Sequence, residues 1–159
     1  MNYFELFDIP VSIAVDNSKL AKKYFELQKK YHPDFYTQAD VTEQEDVLQK
    51  SSEINKALKI LKNKQLTIKY VLGLKGLLQE EEKYQLPPDF LMDVMELNET
   101  LSDDSASAIH DFEKEIYAGV ETIISGYDNT KISTEDLLKI KEYYFKQKYL
   151  QRILDRLDD

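Results

Sequence analysis

A proline placed directly after a strongly periodic segment constrains the fold of this sequence more than any other feature. Residues 18–31 place apolar side chains on one helical face, at Leu20, Tyr24, Leu27 and Tyr31. Pro33 cannot continue that helix, because it lacks an N–H group and its ring clashes with the preceding turn. It also disfavours helical backbone at His32. The helix is therefore predicted to end at about Tyr31, with His32 and Asp34 exposed on a rigid corner.

A second helical segment follows the corner and is predicted to return along the first. Thr42-Glu43-Gln44-Glu45 matches the capping-box pattern that precedes a helix. Apolar residues then recur at three- and four-residue steps, at Val47, Ile54, Ala57, Leu58 and Leu61. These features predict an antiparallel hairpin whose tip carries His32-Pro33-Asp34. Short helices are expected at residues 3–7 and 66–72, the latter ending at Gly73.

The second half of the chain is predicted to form a separate helical domain. We assign residues 1–73 to the first domain, 74–88 to a joint and 89–159 to the second domain. Three helical stretches follow the joint, at about residues 89–101, 105–125 and 134–157. Because short connections join antiparallel neighbours, these stretches predict a three-helix bundle. The predicted fold class is all-α.

Net charge separates the two halves. Residues 1–73 carry 11 Lys and 10 acidic residues, whereas residues 74–159 carry 10 Lys or Arg and 20 acidic residues. An acidic second half disfavours nucleic acid as a binding partner, since binding to nucleic acid depends on neutralising its phosphates. Different protein partners for the two halves are the simpler interpretation.

Membrane and secreted proteins are also disfavoured. No apolar run approaches the roughly 20 residues that span a membrane, and the first residues show no secretory signal. The absence of cysteine excludes disulfides and thiolate-bound metals within this sequence. We expect a cytoplasmic protein, or a mitochondrial-matrix protein whose presequence is missing.

The sequence offers no catalytic constellation, so an enzyme is not expected. Its two histidines, His32 and His110, lie in different halves and lack a second ligand at metal-binding spacing. It has no Gly-rich phosphate-binding loop, and no serine has an evident base partner. We therefore expect no catalytic residue, no metal site and no cofactor.

Lysines dominate the outer face of the first hairpin helix. They are Lys19, Lys22, Lys23, Lys29 and Lys30. Glu26 is the single acid among them. A run of lysines is often no more than a solvated helix face. Here the imbalance leads into the exposed corner, which favours an acidic protein partner.

The order of these motifs resembles a J domain, the module with which co-chaperones stimulate ATP hydrolysis by DnaK-type chaperones. The residues that carry the resemblance are Tyr3-Phe4-x-Leu6-Phe7, Lys30-Tyr31-His32-Pro33-Asp34 and Ile54-Asn55-Lys56-Ala57-Leu58-x-x-Leu61. His-Pro-Asp alone is a weak signal, but with flanking helices in the right order and spacing it becomes a strong one.

The second half is similar to that of HscB-type co-chaperones, which are J proteins of iron–sulfur cluster biogenesis. The segment that carries this resemblance is Phe90-Leu91-Met92-Asp93-Val94-Met95-Glu96-Leu97-Asn98-Glu99, followed by two acidic helices. The resemblance extends over essentially the whole chain. It implies an L-shaped protein with an N-terminal J domain and a C-terminal three-helix bundle.

The resemblance implies a contact with a specialised DnaK-type chaperone of the HscA kind. The chaperone-binding residues carried over by position are His32, Pro33, Asp34, Lys22, Lys23, Lys29 and Lys30. The lysines would meet acidic residues, and the Asp34 carboxylate would act on hydrogen bonds at the chaperone's interdomain switch. ATP would be bound and cleaved by the chaperone.

The resemblance also implies that the C-terminal bundle binds an IscU-type iron–sulfur scaffold protein and delivers it to the chaperone. The scaffold-binding residues carried over are Leu91, Met92, Met95, Glu96, Glu99 and Phe145. One helix would thus offer an apolar stripe bordered by carboxylates. From helical spacing alone, Leu91 and Met95 fit the core of the bundle equally well.

Two other functions stay open. One is a J protein that serves a different client, so that the second half recognises another protein. The other is a helical interaction protein without a chaperone partner, in which His-Pro-Asp is merely a turn. The chain also departs from the family pattern, because Phe35 follows His-Pro-Asp where many J domains have Lys, and Met95 stands where Leu is frequent.

Overall fold

The protein is all-α in the part of the chain that the structure describes. This computed structural model describes residues 1–99 and 105–157, and the side chains of these except Asn98 and Glu99. The helices of this part are α1 (Tyr3–Leu6), α2 (Asn17–Tyr31), a 3₁₀ helix (Pro33–Tyr36), α3 (Val41–Leu61), α4 (Lys64–Leu74), α5 (Pro88–Glu99), α6 (Ser105–Ala118), α7 (Glu121–Ser125) and α8 (Thr134–Leu157). The predicted fold class is confirmed.

The chain divides into two compact units, Met1–Val71 and Leu72–Asp159. The finer division into residues 1–73, 74–88 and 89–159 stays a prediction. Each unit contains helices that bury one face and leave the other in solvent, as amphipathic periodicity requires.

In the first unit, α2 and α3 form the predicted antiparallel hairpin. Tyr24 Oη donates a hydrogen bond to Asn55 Oδ1 at 2.9 Å. Further along α2, the Tyr31 ring lies 5.8 Å from Lys50 Nζ. Position thus rises along α2 as it falls along α3. The buried side chains of this unit include Phe4, Phe7, Leu20, Val47, Ile54, Ala57, Leu61 and Ile68.

The end of α2 follows the sequence-based prediction, and its start is capped by Asp16. Asp16 Oδ1 accepts hydrogen bonds from the backbone N–H groups of Ser18 and Lys19, at 2.9 and 3.2 Å. The helix ends at Tyr31, and His32 has an extended backbone with φ −69° and ψ +130°. Extended geometry is what a following proline imposes.

The structure corrects the predicted start of α3. The capping residue is Asp40, whose Oδ1 accepts the N–H of Glu43 at 2.8 Å, and Thr42 already lies inside the helix. Asp40 and Glu43 have the same three-residue spacing as the pattern assigned to Thr42 and Glu45. Aspartate caps a helix at least as well as threonine, so the helix begins before the predicted capping box.

Replacing Asp40 by Ala is expected to destabilise the start of α3 by about 1 kcal/mol, because the Glu43 N–H loses its acceptor. Thr42→Ala is the matched control, and its effect is expected to stay within about 0.5 kcal/mol. Amide hydrogen exchange at the first turn of α3 in the full chain measures both. Equal losses of protection in the two variants would contradict the assignment of the cap to Asp40.

The end of α4 is a second correction, because the helix continues past Gly73. The N–H of Leu77 donates to the carbonyl of Leu72 at 2.9 Å, and the N–H of Gly76 donates to that of Gly73 at 3.0 Å. This pair of bonds is a Schellman motif. Gly76 has φ +73°, a left-handed conformation that glycine adopts without strain from a Cβ atom.

The second unit packs α5, α6 and α8 around one core, as the predicted three-helix bundle requires. The buried side chains of this core are Phe90, Val94, Ile109, Leu150, Ile153 and Leu154. The Phe90 ring lies 5.6 Å from that of Phe112 and 6.0 Å from that of Tyr149. These contacts join the start of α5 to both other helices.

One predicted helix of the bundle, residues 105–125, is two helices in the structure. α6 ends at Ala118, α7 begins at Glu121, and Val120 between them has φ −122° and ψ −1°. Gly119 lies between the two helices and favours the break, because glycine is among the poorest residues in a helix interior. The Val120 side chain is buried. The apolar periodicity therefore continues across the break between α6 and α7, and sequence analysis does not detect the break.

Candidate protein-binding sites

The corner at the tip of the hairpin is held by a short network of hydrogen bonds. The backbone N–H of Asp34 donates to His32 Nδ1 at 3.2 Å. Tyr36 Oη donates to the carbonyl of Lys30 at 2.6 Å, and Gln44 Nε2 donates to the carbonyl of Tyr36 at 3.0 Å. The corner is thus attached to the last turn of α2 and to the first turn of α3.

The Asp34 side chain is the exposed part of this corner. It is 85% exposed, and its Oδ2 lies 3.7 Å from His32 Nδ1, which is too long for a hydrogen bond. Since Nδ1 already accepts the Asp34 amide, the neutral imidazole carries its proton on Nε2. A fixed backbone therefore presents a carboxylate whose oxygens are available to donors on another molecule.

The predicted chaperone-binding lysines differ in what surrounds them. Lys23 Nζ lies 3.4 Å from Asp8 Oδ2 and 4.0 Å from Glu26 Oε2. Among the described residues, it is the one cation of α2 that forms an ion pair. Lys22, Lys29 and Lys30 are exposed, so these three supply most of the free positive charge next to the corner.

Two methionines form an exposed apolar patch on α5. Met92 is 62% exposed and Met95 is 60% exposed, and their three-residue spacing places them on adjoining turns. Glu96 is exposed beside them, whereas Leu91 is partly buried against the core of the bundle. The alternative that Met95 belongs to the bundle core is therefore wrong, and for Leu91 it is partly right.

The other two predicted scaffold-binding residues differ from the methionines. The side chain of Glu99 lies outside the described residues. Phe145 of α8 is only 9% exposed, and its ring stacks on that of Tyr84 with centroids 4.5 Å apart and planes inclined by 1°. Phe145 therefore borders a surface that includes Tyr84, a residue that sequence analysis missed.

Tyr84 and Phe145 line an open cavity of about 510 Å³ in the second unit, with Leu86, Lys148, Tyr149 and Arg152 among its other residues. Nothing in helical periodicity identifies Tyr84, because it lies outside any helix. A lone aromatic residue within the charged run of residues 79–84 is the one signal that the sequence offers.

An ion pair fixes the segment that carries Tyr84 to α8. Lys141 Nζ lies 2.7 Å from Glu82 Oε2. The hydrogen bond from Lys141, with a second from the backbone of Gln79, holds the pKa of the Glu82 carboxyl below its usual 4.5. The carboxylate form of Glu82 is thus favoured. The contribution of the ion pair to the stability of the folded protein is lost as the pH falls through that lowered pKa.

Burial raises the pKa values of the hydroxyl groups of Tyr84 and Tyr144 above the usual 10.0. Both tyrosines are therefore neutral at physiological pH. In the described ranges, no group of three His, Asp or Glu side chains is arranged to hold a metal ion. No helix of those ranges is long and apolar enough to cross a membrane.

Comparison with known proteins finds similarity over the whole chain. A family model described as the HSCB C-terminal oligomerisation domain matches residues 86–158. The co-chaperone protein HscB homolog of Photobacterium profundum is 30% identical over 168 residues. That alignment covers 100% of this chain and 98% of the relative.

Two solved structures are similar to this one. The crystal structure of human co-chaperone protein HscB matches with a TM-score of 0.80 at 29% identity, covering 99% of this chain and 81% of the human chain. Chaperone HscB from Vibrio cholerae matches with a TM-score of 0.65 at 29% identity, covering 99% of both chains. The similarity therefore includes both units.

Proposed function

The chain belongs to the HscB family of co-chaperones, and from this premise we propose that it assists iron–sulfur cluster assembly. It stimulates ATP hydrolysis by a specialised DnaK-type chaperone similar to HscA, and it delivers an IscU-type scaffold protein to that chaperone. The observation that carries the proposal is the exposed Asp34 carboxylate on a corner that α2 and α3 both hold.

The proposed chaperone contact forms at the tip of the hairpin. Lys22, Lys29 and Lys30 steer the chain onto an acidic surface, because opposite charges accelerate and orient encounter. Asp34 then accepts hydrogen bonds at the interdomain switch of the chaperone. A ligand shifts such an equilibrium only when it binds one state more tightly. We infer that the carboxylate prefers the state that hydrolyses ATP.

The proposed scaffold contact forms on α5. Met92 and Met95 supply flexible apolar surface that adapts to a partner, and Glu96 supplies charge at the border of the patch. Phe145 and Glu99 remain proposed members of this contact. Phe145 contributes little exposed surface of its own, because its side chain is largely buried and its ring stacks on that of Tyr84.

In this proposal the protein is an activator of a partner ATPase and not itself an enzyme. Both the nucleotide and its hydrolysis belong to the chaperone, and the iron–sulfur cluster belongs to the scaffold. The proposed compartment is the cytoplasm, which agrees with the bacterial source of its relative. The mitochondrial matrix is the alternative.

Single-turnover ATP hydrolysis by an HscA-like chaperone tests the proposal in one assay. We expect the chain to accelerate hydrolysis, and an IscU-type scaffold to accelerate it further. Acceleration that does not respond to the scaffold would favour a J protein for a different client. If hydrolysis is not accelerated at all, a helical interaction protein without a chaperone partner becomes the better interpretation.

A further inference from the structure

Phe145 is nearly inaccessible in this structure, although it is a proposed member of the scaffold contact. It is 9% exposed, and the Tyr84 ring lies parallel to its ring with centroids 4.5 Å apart. The Tyr144 ring meets Phe145 edge to face, with centroids 5.2 Å apart. Aromatic residues contribute to a protein interface through surface that becomes buried on binding. Phe145 therefore has little to offer a partner while Tyr84 covers it.

Tyr84 belongs to a segment outside the helices, between α4 and α5. We name residues 79–86 of this segment the strap. The ion pair between Glu82 and Lys141 attaches the strap to α8. In the described part of the chain, the backbone groups of residues 83–86 form no hydrogen bond with another backbone group. Side-chain contacts, chiefly this ion pair and the stacked rings, therefore hold the strap in place.

The backbone of the strap is also strained at one residue. Glu81 has φ +56°, a left-handed conformation that is unfavourable for a residue with a Cβ atom. Tyr84 and Phe145 both border the open cavity of the second unit, which leaves the Tyr84 ring room to move away. A segment that is held by few contacts and strained in its closed position opens more readily than one built into a helix.

We propose that the strap is an autoinhibitory cover of the scaffold contact, closed over Phe145 in the free protein, and that it must open before the IscU-type scaffold binds that ring. This inference rests on the proposed function and deepens it, because it specifies how the scaffold contact is regulated. A partner that binds only the open form has its affinity lowered in proportion to the fraction of molecules in that form. Weakening the contacts of the closed strap should therefore strengthen binding, which is the opposite of what loss of a binding residue does.

Calorimetric titration of an IscU-type scaffold into the full-length chain tests the proposal. Tyr84→Ala is expected to lower the Kd about fivefold, because Phe145 is then exposed without prior opening of the strap. Glu82→Gln is expected to lower the Kd about twofold, since the ion pair with Lys141 is lost while the stacked rings remain. Glu80→Gln is the matched control, because it removes the same charge from an exposed residue of the strap, and its Kd should be unchanged.

Binding kinetics separate the opening of a cover from the loss or gain of a direct contact. Changes at a direct contact act mainly on the dissociation rate, whereas a required conformational change slows association. Tyr84→Ala should therefore act mainly by raising the association rate, about fivefold. In a chain that also carries Phe145→Ala, the same substitution should bring no gain, because it uncovers no ring. Thermal denaturation of each variant checks that the bundle remains folded.

The proposal is overturned if Tyr84→Ala weakens scaffold binding, or leaves it unchanged, in a chain that is still folded. It is also overturned if Glu82→Gln changes the Kd no more than Glu80→Gln does, or if the gain persists without the Phe145 ring. In all these cases the proposed function stands, provided that the unaltered chain binds the scaffold and stimulates hydrolysis. Absence of scaffold binding by the unaltered chain would instead contradict both the delivery of the scaffold and the role of the strap.

Discussion

Replacing Asp34 by Asn is expected to reduce stimulation of the chaperone's ATPase to the basal rate. The amide keeps the size and shape of the side chain but removes the negative charge and two of the acceptor sites. The Asp34 side chain is 85% exposed, and the corner is held by its backbone N–H and by Tyr36 and Gln44. The substitution should therefore leave the hairpin folded.

Single-turnover hydrolysis at saturating chain concentration measures this effect. Glu53→Gln, which neutralises another exposed carboxylate on α3, is the matched control and should stimulate like the unaltered chain. His32→Gln should also lose stimulation, because the Asp34 amide loses the ring nitrogen that it donates to. Normal stimulation by Asp34→Asn would mean that the corner is only a turn.

Truncating Met92 and Met95 together to Ala is expected to weaken scaffold binding at least about 30-fold, or by about 2 kcal/mol. Both side chains are more than half exposed, so their apolar surface is available for burial against a partner. For the same reason the double variant should retain its thermal stability. Titration of the IscU-type scaffold into the full chain, followed by calorimetry, measures the change in Kd.

The choice of the methionine pair rather than Phe145 follows from burial. Phe145→Ala would remove a ring that stacks on Tyr84, so weaker binding could reflect a changed fold. Leu138→Ala serves as the control for loss of an exposed apolar side chain. Scaffold affinity unchanged by the Met92 and Met95 substitutions would remove α5 from the proposed contact and favour a different client.

The hairpin could be predicted because its determinants are local. Pro33 ends α2 by a steric rule that does not depend on the rest of the chain, and Asp16 caps the same helix through its nearest backbone N–H groups. The exposure of His32 and Asp34 then follows from the position of the helix end. The family resemblance added partners and roles to this corner.

The start of α3 and the break after α6 could not be predicted, because local signals there compete or cancel. Asp40 and Thr42 both fit the start of a helix, and only the observed hydrogen bond to Glu43 separates them. At Gly119 the apolar pattern continues across the break, so periodicity indicates one helix where backbone geometry makes two.

By itself the sequence determined the helical class, the corner at Pro33 and the lysine face of α2, since each depends on residues a few positions apart. Only the tertiary structure decided which apolar residues remain exposed. Periodicity places Leu91 and Met95 equally well in a core or on a surface, and it does not reveal that Phe145 is covered by Tyr84, 61 positions away along the chain. Burial depends on such distant partners, and no local rule of spacing specifies them.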